Sequence, residues 1–174
     1  MSNESIVGAV TRTRTISHTG RRLTEGCPAF AGYAETLAAQ AAHEGRRTRW
    51  FMLELARQCG NVDLSRLGHP IRFWRSLREL PPKRFGNIGF RAELVDDFHP
   101  ARHYVAFLMI GFFLPYPLAL AFGWLWERAE GIVLGEFSPR DVALGRLAIA
   151  HGRTVRQAGP AALPALIRKE LCCG

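Results

Sequence analysis

The chain has 174 residues, 48% hydrophobic and 22% charged, with a formal net charge of +8. That length suits one domain with a real core, and that composition excludes wholesale disorder. The positive excess lies entirely in the first half: through Arg91 there are fifteen Lys and Arg against seven Asp and Glu, whereas the remainder holds eight of each sign. Only Lys83 and Lys169 are lysines, a bias that suits phosphate binding but follows equally from GC-rich codon usage.

Residues 1–26 are polar, rich in Thr and Arg, and without an apolar period, so they are expected to be a flexible arm. Glu4 and the missing apolar segment argue against a secretory signal. Residues 27–174 are expected to form a single helical domain. Pro28 suits a first helical position, and Phe30, Tyr33, Leu37 and Ala41 recur on one face up to a stop at Gly45. A second helix places Phe51, Met52, Leu55, Ala56 and Cys59 on one side and closes at Gly60-Asn61. A third, from Pro70, carries the stripe Phe73, Trp74, Leu77 and Leu80 opposite Arg72 and Arg75, and ends at Pro81-Pro82.

A turn-rich link with Gly86 and Gly89 leads to a dense ionisable cluster, Arg91 to His103. Asp97 or His99 can cap a helix beginning at Pro100, with Asp96 and Asp97 near its positive end. That helix enters Tyr104–Trp126, the only long uncharged run in the chain. A run of this length is a transmembrane candidate, with Tyr104, Trp124 and Trp126 suited to the two interfaces. Pro115 and Pro117 should break it into two pieces of about 11 residues, each too short to span. The run is therefore expected either in lipid or as a buried helical hairpin. Gly131 and Gly135 predict a loop. Ser138-Pro139-Arg140-Asp141 then opens a helix with Leu144, Leu147, Ala148, His151 and Val155 on one face, stopped by Gly159-Pro160. Leu163, Leu166, Ile167 and Leu171 line the last helix. The fold expected is all-α, six or seven helices around a central apolar hairpin or a kinked membrane helix.

Chemistry is sparse. No phosphate-binding loop, nucleophile elbow or HExxH motif occurs, so no cofactor is expected. His99 and His103 stand four apart, and with His151 they are the candidate metal ligands, Glu93 or Asp96 supplying a carboxylate. Cys27, Cys59, Cys172 and Cys173 form no CxxC pair or zinc spacing; in a reducing compartment four free thiols are expected. Arg46, Arg49, Arg72 and Arg75 are the candidate contacts to an anionic surface. The first reading is thus a membrane-associated binding or structural protein, its basic half on the cytoplasmic side by the positive-inside rule. Membrane lipid is its first expected partner and a protein its second. The alternatives are a soluble interaction module, a metal enzyme centred on His99 and His103, or a nucleic-acid-binding domain.

Overall fold

The uncharged run breaks where its prolines require. In a computed structural model, which describes residues 25–63, 68–69, 79–95, 99–134 and 138–173, one helix ends at Phe113 and the next begins at Tyr116. The described residues form six α-helices: α1 (Gly26–His43), α2 (Thr48–Leu55), α3 (Pro100–Phe113), α4 (Tyr116–Leu134), α5 (Pro139–Ala158) and α6 (Ala162–Leu166). α2 continues into a π-helical turn at Ala56–Gly60 and α6 into another at Ile167–Leu171, while a 3-10 turn covers Ala92–Leu94. Among the described residues the only β pairing is a single bridge, Phe90 to Cys172. The expected all-α class is what the chain adopts. The expected arm up to residue 24, the stripe on Phe73, Trp74 and Leu77, and Asp96 and Asp97 lie outside the described residues.

Local chemistry sets the helix ends. Gly45 takes a φ of +61°, and the Gly45 and Arg46 amides return to the carbonyls of Ala42 and Ala41 at 3.2 and 2.8 Å, the paired closure of a Schellman turn. Asn61, the only described non-glycine residue at positive φ, closes the turn after α2. The Ser138 hydroxyl accepts from the Asp141 amide at 3.2 Å, ahead of Pro139 at the first helical position. One expected boundary fails: α4 runs through Gly131 to Leu134 instead of yielding to a loop. A single glycine costs a helix only about 1 kcal/mol relative to alanine, too little to end a helix on its own.

α3 is the centre of the fold, since no residue from Pro100 to Leu114 is exposed. Its main neighbour is α5, and the two meet backbone to backbone. A Cβ on Gly111 would fall on the main chain of Ile149, and a Cβ on Gly152 would fall on the Leu108 carbonyl and within 2.7 Å of the Phe112 nitrogen. Phe107 lies by Gly145, Gly111 by Ile149, and Arg156 reaches the Phe112 carbonyl, so α3 and α5 advance in the same direction. α4 returns across both, with Tyr116 under Arg153 and Gly123 by Ile149 and Phe107. The Arg156 guanidinium also donates to the Leu114 carbonyl at 3.2 Å, answering the free carbonyls at the end of α3.

On the other side of α3, Phe30 of α1 packs edge-on to Tyr104 at 5.8 Å and against Phe85 at 5.3 Å. Residues 85–91 are held between the start of α1 and the end of the chain. The Cys27 amide donates to the Ile88 carbonyl, the Arg91 amide to Leu171 and the Cys173 amide to Gly89, at 2.8, 2.8 and 2.9 Å. This convergence corrects the expectation of four free thiols. It brings Cys27 and Cys172, 145 residues apart, to a Cα separation of 5.4 Å, and they form a disulfide. Cys59 is buried and Cys173 exposed, both as thiols, and burial pushes the Cys59 thiol up to about 12.

Two outcomes are expected. Titration with a thiol reagent should find one reactive group, Cys173, in the native protein and two after denaturation without reductant; three or four would mean that the Cys27–Cys172 bond is absent. Gly111→Ala should destabilise the protein by about 2–3 kcal/mol in urea unfolding, because the added methyl must push apart two backbones that cannot repack like side chains.

Candidate functional site

The histidines expected to share a metal go separate ways. His99 occupies the cap position of α3 but makes no capping bond through its side chain, and the His103 ring packs on Phe107 at 4.7 Å. Consecutive residues on a helix project about 100° apart, so it is Tyr104, not His103, that faces α5 and meets His151. Glu93 pairs with Arg91 at 3.8 Å, and Asp96 lies outside the described residues. Among the described residues no three His, Cys, Asp or Glu side chains come together as a metal site.

His151 instead joins a buried chain of hydrogen bonds. Its Nδ1 lies 2.8 Å from the Tyr104 hydroxyl and its Nε2 lies 3.2 Å from Glu170 Oε2. A carboxylate only accepts, so Nε2 carries the proton, Nδ1 is the acceptor, and Tyr104 donates to it. This arrangement needs a neutral ring. Burial accordingly lowers the His151 pKa, and it outweighs the bond and the charge of Glu170, which raise it. Tyr104 has no exposed surface, and burial, followed by the Glu170 charge, pushes its phenol far above the ordinary value. The order carboxylate, imidazole, hydroxyl matches that of a hydrolytic triad, but this hydroxyl is sealed from any substrate. The chain therefore ties α3, α5 and the C-terminal turn together. Sequence spacing gave no signal for Glu170, whose bond crosses 19 residues and depends on the turn after α6.

The accessible feature is the outer face of α4. Pro117, Leu118, Ala121, Phe122, Trp124 and Leu125 are all exposed and all uncharged. Leu118, Phe122 and Leu125 follow the i, i+4, i+7 spacing of one stripe, with Trp124 beside them. Arg128 lies on this face, over Trp124 at 5.5 Å, while Arg153 lies over Tyr116 at the start of α4 at 5.2 Å and Arg49 of α2 lies over Phe113 at the end of α3 at 5.6 Å. Of the other arginines expected at an anionic surface, Arg46 pairs with Glu44 at 3.1 Å and lies over Trp50, while Arg72 and Arg75 lie outside the described residues. Beside the face, α4 and α5 border an open groove of about 630 Å³, lined by Phe107, Leu120, Val142 and Ile149, with Trp124, Arg128 and Arg146 also in its lining. No protein-family model, curated protein or solved structure matches this chain.

The buried chain makes a prediction of its own. His151→Leu should cost about 1–3 kcal/mol, because the Tyr104 hydroxyl would be stranded in the core, and Tyr104→Phe should cost a similar amount by stranding Nδ1. The double variant should cost less than the sum. Below the ordinary imidazole value of about 6.5, the unfolded chain binds a proton that the native ring resists, so wild-type stability should fall with pH from there downward. The gap to His151→Leu should therefore narrow in urea unfolding series run at decreasing pH.

Proposed function

We propose that this protein is a helical binding module that docks on an anionic membrane surface through α4 without crossing the bilayer. The observation that carries this reading is the patch of large apolar side chains on one face of α4: Leu118, Phe122, Trp124 and Leu125 are 58%, 43%, 59% and 60% exposed. An interfacial helix needs one apolar face outward and its other face satisfied, and α4 meets that requirement by packing its inner side on α5. Trp124 and Tyr116 are residue types that favour the boundary between headgroup and chain, being apolar in body and polar at the tip. Arg128 on that face and Arg153 over Tyr116 at the start of α4 offer guanidinium groups, each worth about 1 kcal/mol near an anionic leaflet. Among the described residues no helix is long and apolar enough to cross a membrane, which agrees with docking on the surface.

Sedimentation with vesicles tests the reading. The protein should pellet with phosphatidylserine-containing vesicles, pellet far less with phosphatidylcholine alone, and be released by alkaline carbonate. Phe122→Ser with Leu125→Ser should weaken binding at least tenfold, since about 1.4 kcal/mol is tenfold and each side chain is worth about that when it leaves water. Salt should weaken it further, as the Debye length shrinks below about 10 Å. Equal binding by wild type and the double variant would overturn the assignment of α4, and dimerisation without vesicle binding would replace the membrane with a second copy of the chain.

A further inference from the structure

The groove beside the docking face has a chemistry of its own. Its volume of about 630 Å³ lies within the range of about 300–1,000 Å³ typical of small-molecule sites. Its apolar lining is hydrocarbon and aromatic, from Phe107, Leu120, Val142 and Ile149, and the charged residues that line it are Arg128 and Arg146. Both arginines are exposed, and among the described residues no carboxylate pairs with either. Arg128 is held over the Trp124 ring, which limits where its guanidinium can point. Gly123 and Gly145 make this lining possible, because a Cβ on either would lie 3.3–3.4 Å from the Phe107 ring and crowd it. An apolar groove lined by two arginines that have no carboxylate partner among the described residues is complementary to a hydrocarbon chain ending in an anion.

We propose that the groove between α4 and α5 binds one fatty acid, its acyl chain along Phe107, Leu120 and Ile149 and its carboxylate between Arg128 and Arg146. The inference rests on the membrane-docking reading, since a bilayer against α4 is the source of the ligand and the outer face of α4 brings the groove to it. The guanidinium groups would donate paired hydrogen bonds to the carboxylate, and the groove would take the chain out of water.

The test uses the full chain and bromostearate, a fatty acid whose bromine quenches nearby tryptophan fluorescence, added below its micelle concentration. Quenching should saturate at one acid per chain, and Trp124→Phe should remove most of it. Arg128→Gln with Arg146→Gln, both at exposed positions, should raise the Kd for the acid at least tenfold while leaving that for bromostearate methyl ester unchanged. No quenching, equal affinity for acid and ester, or an unaffected arginine double variant would each overturn the site. Vesicle binding is measured in parallel on the same preparations. Vesicle binding without quenching overturns the groove alone, whereas quenching without vesicle binding supports the groove and overturns the membrane-docking reading.

Discussion

The close crossing of α3 and α5 at Gly111 and Gly152 is the contact from which the rest of the structure follows. Two helices whose backbones touch have no side chains to slide on at that point, so their relative depth is set. That depth puts Tyr104 opposite His151, Arg156 beneath the open carbonyls of Phe112 and Leu114, and Phe107 against Gly145. Each is a consequence one or two helical turns from the crossing. Glycine inside a helix costs stability through backbone entropy, about 1 kcal/mol per residue, so two at one crossing need a compensating gain. Here it is the burial of most of α3, in which no residue is exposed.

That crossing also explains why one uncharged run has two fates. Hydropathy treats Tyr104–Trp126 as uniform, and offers lipid or core for all of it. The chain divides it at Leu114-Pro115. The first part has no exposed residue, while the second keeps its inner face on α5 and leaves Leu118, Phe122, Trp124 and Leu125 in the open. Pro115 lies at the division: a proline inside a helix loses a hydrogen bond and clashes with the preceding turn, and here α3 ends at Phe113, α4 starts at Tyr116, and one side of α4 packs on α5. A periodicity argument would not have found this asymmetry, because α4 is apolar nearly all round and its buried face is chosen by the neighbour.

What could be read from the residues was whatever is decided within a turn or two. The Ser138 cap, the Gly45 and Asn61 stops, the break at the prolines, and the buried faces of α1, α2 and α5 all lie in local chemistry and three-to-four spacing. The pairings across the molecule were not readable. Cys27 and Cys172 carry no spacing signal, and four unmotivated cysteines in one chain read most simply as thiols; only the return of the C-terminus to the start of α1 joins them. His151 was visible as a polar residue on an apolar stripe, which marks it as needing a partner, yet nothing local names Tyr104 or Glu170. The helical spacing of His99 and His103 suggested a shared face, but His99 stands at the helix entrance and His103 turns to Phe107.

The outer face of α4 is also an energetic argument. Fully burying a side chain such as Leu or Phe is worth about 1.5–3 kcal/mol, and Leu118, Phe122, Trp124 and Leu125 each forgo roughly half of that. The four together leave about 3–6 kcal/mol of apolar burial unused, comparable with the net stability of a small domain at about 5–15 kcal/mol. Scattered apolar residues on a surface need no explanation, but a contiguous patch of this size on a folded chain does. The fold does not need it, since α4 already reaches α5 through Ala119 and Gly123, which are buried. Smaller polar residues at positions 118, 122, 124 and 125 would keep that packing and be better solvated. A face costly to leave in water and bordered by Arg128 is what the proposed docking on a negatively charged surface would cover.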